Sequence, residues 1–428
     1  MSKYLSSFPN MNLIKKKKYS TRHKKEMLLI LWMICSISLF AQPVTIPAIS
    51  PSTNLPPINY AENRIYSNEM DTFYKKLSEM QQKHDGVVRI VQIGDSHIQA
   101  DFLSGVVRNG LQQAFGDAGR GLIFPYQVAR SNGPSDIKSS SNTSWKANRL
   151  TYQKIALECG ISGFCIQNNK PDATINFSLQ ADTDGVQTFN HLKLFTDTNS
   201  QWLLRIDSTT VTQLKMNSSD SNKIYHDVSL AMPVTGFSLS TQWSGTDQSF
   251  YGALLENDQP GIIYNSIGVN GARYDQYNKT ALFWKQLPAL EADLYIISLG
   301  TNEAQAASFN EAAFSEIVNT FISNLKTASP NAAILITTAI DSYKGGRPNA
   351  VLQSLNNFLY NYTTQNSLPL WDLYRVTLGY NASRNWIRKG LMAKDKVHFT
   401  KNGYALQGSL LLNALLKGYN DYYTNHQN

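Results

Sequence analysis

Hydrophobic and polar positions follow three successive rhythms along the chain. Between about residues 61 and 126 the spacing predicts a helix from Tyr66 to Lys83, a strand from Val87 to Ile93 and a second helix after His97. Between about 127 and 259 the period shortens to two. Short alternating runs such as ATINFSLQA, FNHLKLFTD, QWLLRIDS and TGFSLSTQW are separated by Ser, Thr, Asn and Asp turns, which predicts an antiparallel β-sandwich with no long helix. From about 260 the pattern returns to strands alternating with helices. GIIYNSIGV, ADLYIISLG, AAILITTAI and LPLWDLY read as strands; QYNKTALFWKQL, FNEAAFSEIVNTFISNLKTA, NAVLQSLNNFLYNYTTQ and Asn402 to Leu416 read as helices. Strands that are apolar almost throughout belong to a parallel sheet covered on both faces. The expected fold class is therefore α/β: one domain split into segments 61–126 and 260–428, with the β-sandwich of 127–259 inserted between its first and second strands.

Charge changes this picture only at the N-terminus. Of the net +8, residues 1–41 carry +7, so the remainder is close to neutral and has no basic stripe of the kind that binds a phosphate backbone. Nucleic acid is thereby set aside as a partner. The leader itself joins a basic stretch to the apolar run Met27–Phe40 and a small residue, Ala41, as a secretory signal does. At 14 residues this run falls short of the roughly 20 that span a bilayer, so no membrane span is expected after cleavage. Residues 42–60, with five prolines, read as an extended linker. Beyond the leader only Cys159 and Cys165 remain, a local disulfide or two buried thiols. No His and Cys cluster has zinc spacing, and neither a metal nor an organic cofactor is called for.

Ligands of parallel sheets gather at the carboxyl ends of the strands, and there the small polar residues accumulate. The first strand delivers Ser96, the second Gly271, the third Asn302, and the loop before the last helix offers Asp395 and His398. A serine hydroxyl needs a histidine to take its proton, and the histidine needs a carboxylate to fix its tautomer. The Ser96 and Gly271 backbone N–H groups and the Asn302 amide would supply donors for an oxyanion.

In four ordered blocks, GDSH (94–97), the glycine of VNGA (Gly271), GTNE (300–303) and DKVH (395–398), the sequence resembles the SGNH (GDSL-type) hydrolases. By chance alone, G-D-S-H would occur in a chain this long on the order of once in several hundred sequences. His97 after the serine, GRGLIFPY (119–126) and the β-rich insertion narrow the resemblance to the exported bacterial branch that contains peptidoglycan O-acetylesterases, whose inserted module is carbohydrate-binding-like. The resemblance implies a three-layer flavodoxin-like fold and a catalytic Ser96–His398–Asp395 triad. It also implies an oxyanion hole of Ser96, Gly271 and Asn302, and an O-acetylated polysaccharide as substrate for an exported, periplasmic or cell-surface enzyme. Peptidoglycan comes first, plant or host glycans next. A glycan-binding surface protein without turnover, or an acetyl transferase using the same residues, are the alternatives. His97 is read as support for the serine and Asp95 as holding its loop. The aromatics Trp145, Trp202, Phe237 and Trp243 could stack on sugars or fill the core, and NNKPD and DTDG could bind calcium or simply turn the chain.

Overall fold

The computed structural model describes residues 43–426 apart from 50–54, 68, 153–156, 182–184, 199–200, 207–210, 216–223 and 243–246. The leader, Trp243 and most of DTDG lie outside the described residues. Residues 42–428 form one compact unit.

Its centre is a six-stranded sheet of β1 (Ile65–Tyr66), β2 (Val87–Gly94), β3 (Gly261–Gly268), β4 (Leu294–Ser298), β5 (Ala333–Thr337) and β6 (Leu370–Trp371), in the spatial order β1-β6-β5-β4-β2-β3. All neighbours are parallel except the edge pair β1 and β6. Alternate residues of each strand enter two cores. Val88 and Ile90 of β2, with Ile262 and Tyr264 of β3, pack beneath α1 (Asp71–Lys83), α3 (Ser104–Phe115) and α6 (Lys401–Asn425). On the opposite face Val91, Ile93, Ile263 and Ile267 meet Phe314, Phe321 and Leu325 of α4 (Glu311–Ala328), Leu352 and Leu359 of α5 (Ala350–Gln365), and the inserted β module. This period-two division produces the three layers of an α/β fold.

The insertion supplies two antiparallel sheets. One runs in the order 211–215, 201–205, 236–241, 174–179, 137–141; the other runs 226–234, 189–196, 248–256, 164–168, 146–149, with 121–123 also pairing 248–256. Phe177 and Phe237 of the first sheet meet Phe250 and Phe189 of the second, so the two sheets close over one apolar core. Trp145, Trp202 and Phe237 all belong to that core; Trp202 is fully buried and stacks on Trp145 at 6.2 Å. Burial removes Trp202 and Phe237 as sugar platforms, whereas Trp145, stacked on Trp202, also lines a surface pocket with Lys146, Gln167 and Asn168.

Several local expectations shift for identifiable reasons. The first helix begins at Asp71 rather than Tyr66, since Ile65 and Tyr66 pair with Trp371 and Leu370 as the edge strand. QYNKTALFWKQL breaks into Tyr274–Asn278 and Ala281–Gln286. The Pro-rich stretch is not a detached tether where it is described: Val44 exchanges hydrogen bonds with the Asn420 side chain, and Ile49, Leu55 and Ile58 pack on the core beside α6. Cys159 and Cys165 are buried free thiols, with no disulfide between them. In NNKPD, Asn168 Oδ1 accepts from the Lys170 N–H, a local turn, and no cluster of three or more His, Cys, Asp or Glu able to hold a metal occurs among the described residues.

Candidate active site

β2 runs straight into the site. Its last residue, Gly94, is followed by Asp95, whose Oδ1 accepts the His97 N–H at 2.9 Å and starts the one-turn helix α2 (Ser96–Gln99). That cap turns the chain sharply, so Ser96 projects from the sheet edge instead of continuing into the layer above. Ser96 Oγ lies 2.8 Å from His398 Nε2, and His398 Nδ1 lies 2.7 Å from Asp395 Oδ2. The three residues expected from the sequence are thus joined in one hydrogen-bonded chain, although Ser96 and His398 come from opposite ends of the α/β domain.

The Asp-x-x-His spacing has a local cause. Asp395 Oδ1 accepts the N–H groups of Val397 and His398, both at 2.9 Å, which leaves Oδ2 for the imidazole. Burial works to raise the Asp395 pKa, but these two N–H groups and the His398 ring outweigh it and hold the carboxyl down at about 2. A carboxylate anionic throughout the working pH range keeps the ring proton on Nδ1, so Nε2 is presented to Ser96 as an acceptor.

Around this line the neighbours are unusually polar for their depth. Burial raises the Asp95 carboxyl to about 7 against the His97 N–H and His398, which lower it. His97 stacks on His398 with centroids 5.2 Å apart, and its Nδ1 is 3.0 Å from the Tyr404 hydroxyl. Burial, then the adjacent His398, lowers His97 to about 3, so its ring stays neutral, and its Nδ1 faces Tyr404 while Ser96 Oγ faces His398. Ala339 and Ile340, the residues after β5, line a cavity of about 40 Å³ that His97 also lines.

Gly271 sits in the turn after β3 with φ +82°, a conformation that favours glycine. Asn302, in the turn after β4, donates from Nδ2 to Asp95 Oδ2 and to Ala272 O, both at 3.1 Å. Its amide therefore ties the Gly271 turn to the serine loop. To serve an oxyanion as well, one of its N–H groups must be shared or handed over, and catalytic hydrogen bonds commonly tighten only once substrate is bound. Glu303 Oε1 accepts the Tyr274 N–H at 2.8 Å, and the Tyr277 hydroxyl donates to Gly94 O at 2.8 Å, fixing the same turn from below.

Spacing did not indicate Tyr277 or Tyr404, which hydrogen-bond Gly94 O and His97 Nδ1.

Residues 234–406 match the family model of GDSL-like lipases and acylhydrolases. Among solved structures, a peptidoglycan O-acetylesterase is similar over 83% of this chain and 99% of its own, at 22% identity and a TM-score of 0.71. A family two carbohydrate esterase from Cellvibrio japonicus aligns with 66% of this chain and 99% of its own at 12% identity and a TM-score of 0.29. A lipase/acylhydrolase from Enterococcus faecalis aligns with 37% of this chain and 77% of its own at 21% identity and a TM-score of 0.29. No curated protein matches. The matched span carries Gly271, Asn302, Asp395 and His398 but not Ser96, and over it the chain is similar to the GDSL-like lipases and acylhydrolases.

Proposed function

We propose that this protein is an exported serine esterase that removes O-acetyl groups from a polysaccharide, peptidoglycan foremost. The observation that carries the mechanism is the unbroken chain Ser96 Oγ, His398, Asp395 at 2.8 and 2.7 Å. His398 Nε2 takes the Ser96 proton as Oγ attacks the acetyl carbonyl, and Asp395 stabilises the imidazolium. The tetrahedral oxyanion is held by the Ser96 and Gly271 N–H groups and the Asn302 amide. Collapse expels the sugar oxygen, protonated by His398, and leaves acetyl-Ser96. A water, deprotonated by the same Nε2, then attacks the ester and releases acetate. The substrate class rests on the likeness to the peptidoglycan O-acetylesterase, and export rests on the signal-like leader.

The test is acetate release from O-acetylated peptidoglycan, O-acetylated xylan and a small chromogenic acetate, beside folded Ser96→Ala and His398→Ala proteins. Release that vanishes in both variants is expected. Asn302→Ala should lower turnover by about two to three powers of ten. Release that persists in Ser96→Ala would refute the serine mechanism, and faster release from xylan would move the substrate from the bacterial wall to plant glycans.

A further inference from the structure

The chain leaves the α/β domain for the β module through residues 124–133, and this segment returns to the base of the Gly271 turn. Gln99, 2% exposed, is the hub. Its Nε2 donates to Ser131 Oγ at 2.9 Å, to Asn132 O at 2.6 Å and to Asn132 Oδ1 at 3.0 Å, while its Oε1 accepts the Asn270 N–H at 2.6 Å. Asn132 Oδ1 also accepts from Asn270 Nδ2 at 2.7 Å. Behind them the packing leaves no slack. A Cβ on Gly268, the last residue of β3, would lie 2.2 Å from the Gln99 N, and one on Gly133 would lie 2.4 Å from the Tyr126 ring.

This matters because the Gly271 N–H belongs to the peptide unit joining Asn270 to Gly271. Holding the N–H and the side chain of Asn270 fixes the preceding peptide plane and φ of Asn270, which leaves a single rotation, ψ, to place the Gly271 N–H. We infer that Gln99 and Asn132 are positioning residues for the oxyanion site, so that the inserted β module, through its first loop, acts on the chemical step itself. The inference rests on the serine-esterase reading.

A small chromogenic acetate separates this role from any glycan contact the module makes. Asn132 is exposed, so its variants should fold even if Gln99→Met does not. Asn132→Ala is expected to lower kcat about tenfold with KM unchanged, and Gln99→Met by up to about a hundredfold, the scale of a slightly misplaced catalytic group. Asn132→Asp keeps the accepting oxygens and should recover most of the loss. A boronate that forms a tetrahedral adduct on Ser96 should lose affinity by the same factor as kcat/KM. Unchanged kcat in folded Asn132→Ala, or a loss confined to KM, overturns the inference while leaving the esterase intact. Wild-type protein that releases no acetate, or Ser96→Ala that still does, overturns the esterase reading itself and the inference with it.

Discussion

Replacing Arg120 with Met should destabilise the protein more than any surface change, for a reason visible in the charge count around it. Arg120 is 1% exposed; it donates to Asp101 Oδ2 at 3.0 Å and to both carboxylate oxygens of Asp136. Arg108 donates to Asp101 Oδ2 at 2.5 Å and lies 3.7 Å from Asp136. Two guanidinium groups thus face two carboxylates at the seam between α3 and the β module, with no net charge. Burial raises the Asp136 carboxyl, but Arg120, with help from Arg108, overrides it and holds it at about 2. Arg120→Met leaves two carboxylates to one guanidinium, and breaking a buried pair in this way costs about 3–5 kcal/mol. Urea unfolding at pH 7, followed by circular dichroism, should show that loss as a lower midpoint with an unchanged slope. At pH 5 the loss should shrink, since Asp136 without its partner can take a proton. The double variant Arg120→Met, Asp136→Leu restores the balance and should recover most of the stability. A single variant costing under about 1 kcal/mol, or a double variant no better than the single, would refute the account.

Two further outcomes are expected. His226, beside Thr196 Oγ1 at 3.1 Å, is lowered to about 4 by burial, so its stabilising contribution is complete above the unfolded value of about 6.5 and is lost as pH falls toward 4. Relative to His226→Gln, the wild type should lose up to about tenfold in folding equilibrium per pH unit across that window; parallel pH profiles would exclude the effect. Burial raises the Cys159 thiol to about 12 and the Cys165 thiol well above its ordinary range, so a thiol reagent should label neither in the folded protein and both in urea. Rapid labelling of the native chain would contradict that burial.

The legible parts of the site were those whose geometry is local. An apolar run that stops at Gly94 places Ser96 at a sheet edge, and Asp395 reaches His398 within one turn, so both follow from short spacings. The fold class was legible for the same reason: strand and helix periods each need only a handful of residues to register. Pairings set by distant packing were not. Nothing near Arg120 indicates that it neutralises Asp101 and Asp136, and nothing near Gln99 indicates Asn270, which meets it only because β2 and β3 lie side by side. The aromatic residues of the insertion were ambiguous until two sheets closed over them, because alternation marks one buried face without saying what covers it.

That adjacency of β2 and β3 also bears on how the chain acquires its structure. The two strands pair in register from Val87↔Gly261 to Gly94↔Gly268, with the whole inserted module between them in sequence. Closing so long a loop from a disordered chain is entropically costly and slow. The module's base removes much of that cost: Gly121–Ile123 pairs with Ala253–Leu255, and Asp117 bridges to Ile262, so a folded module holds the ends of both α/β segments together. Assembly of the central sheet is then gated by the insertion, and a lesion deep in the sandwich would leave β2, the strand that leads to Ser96, paired with β4 on one side only.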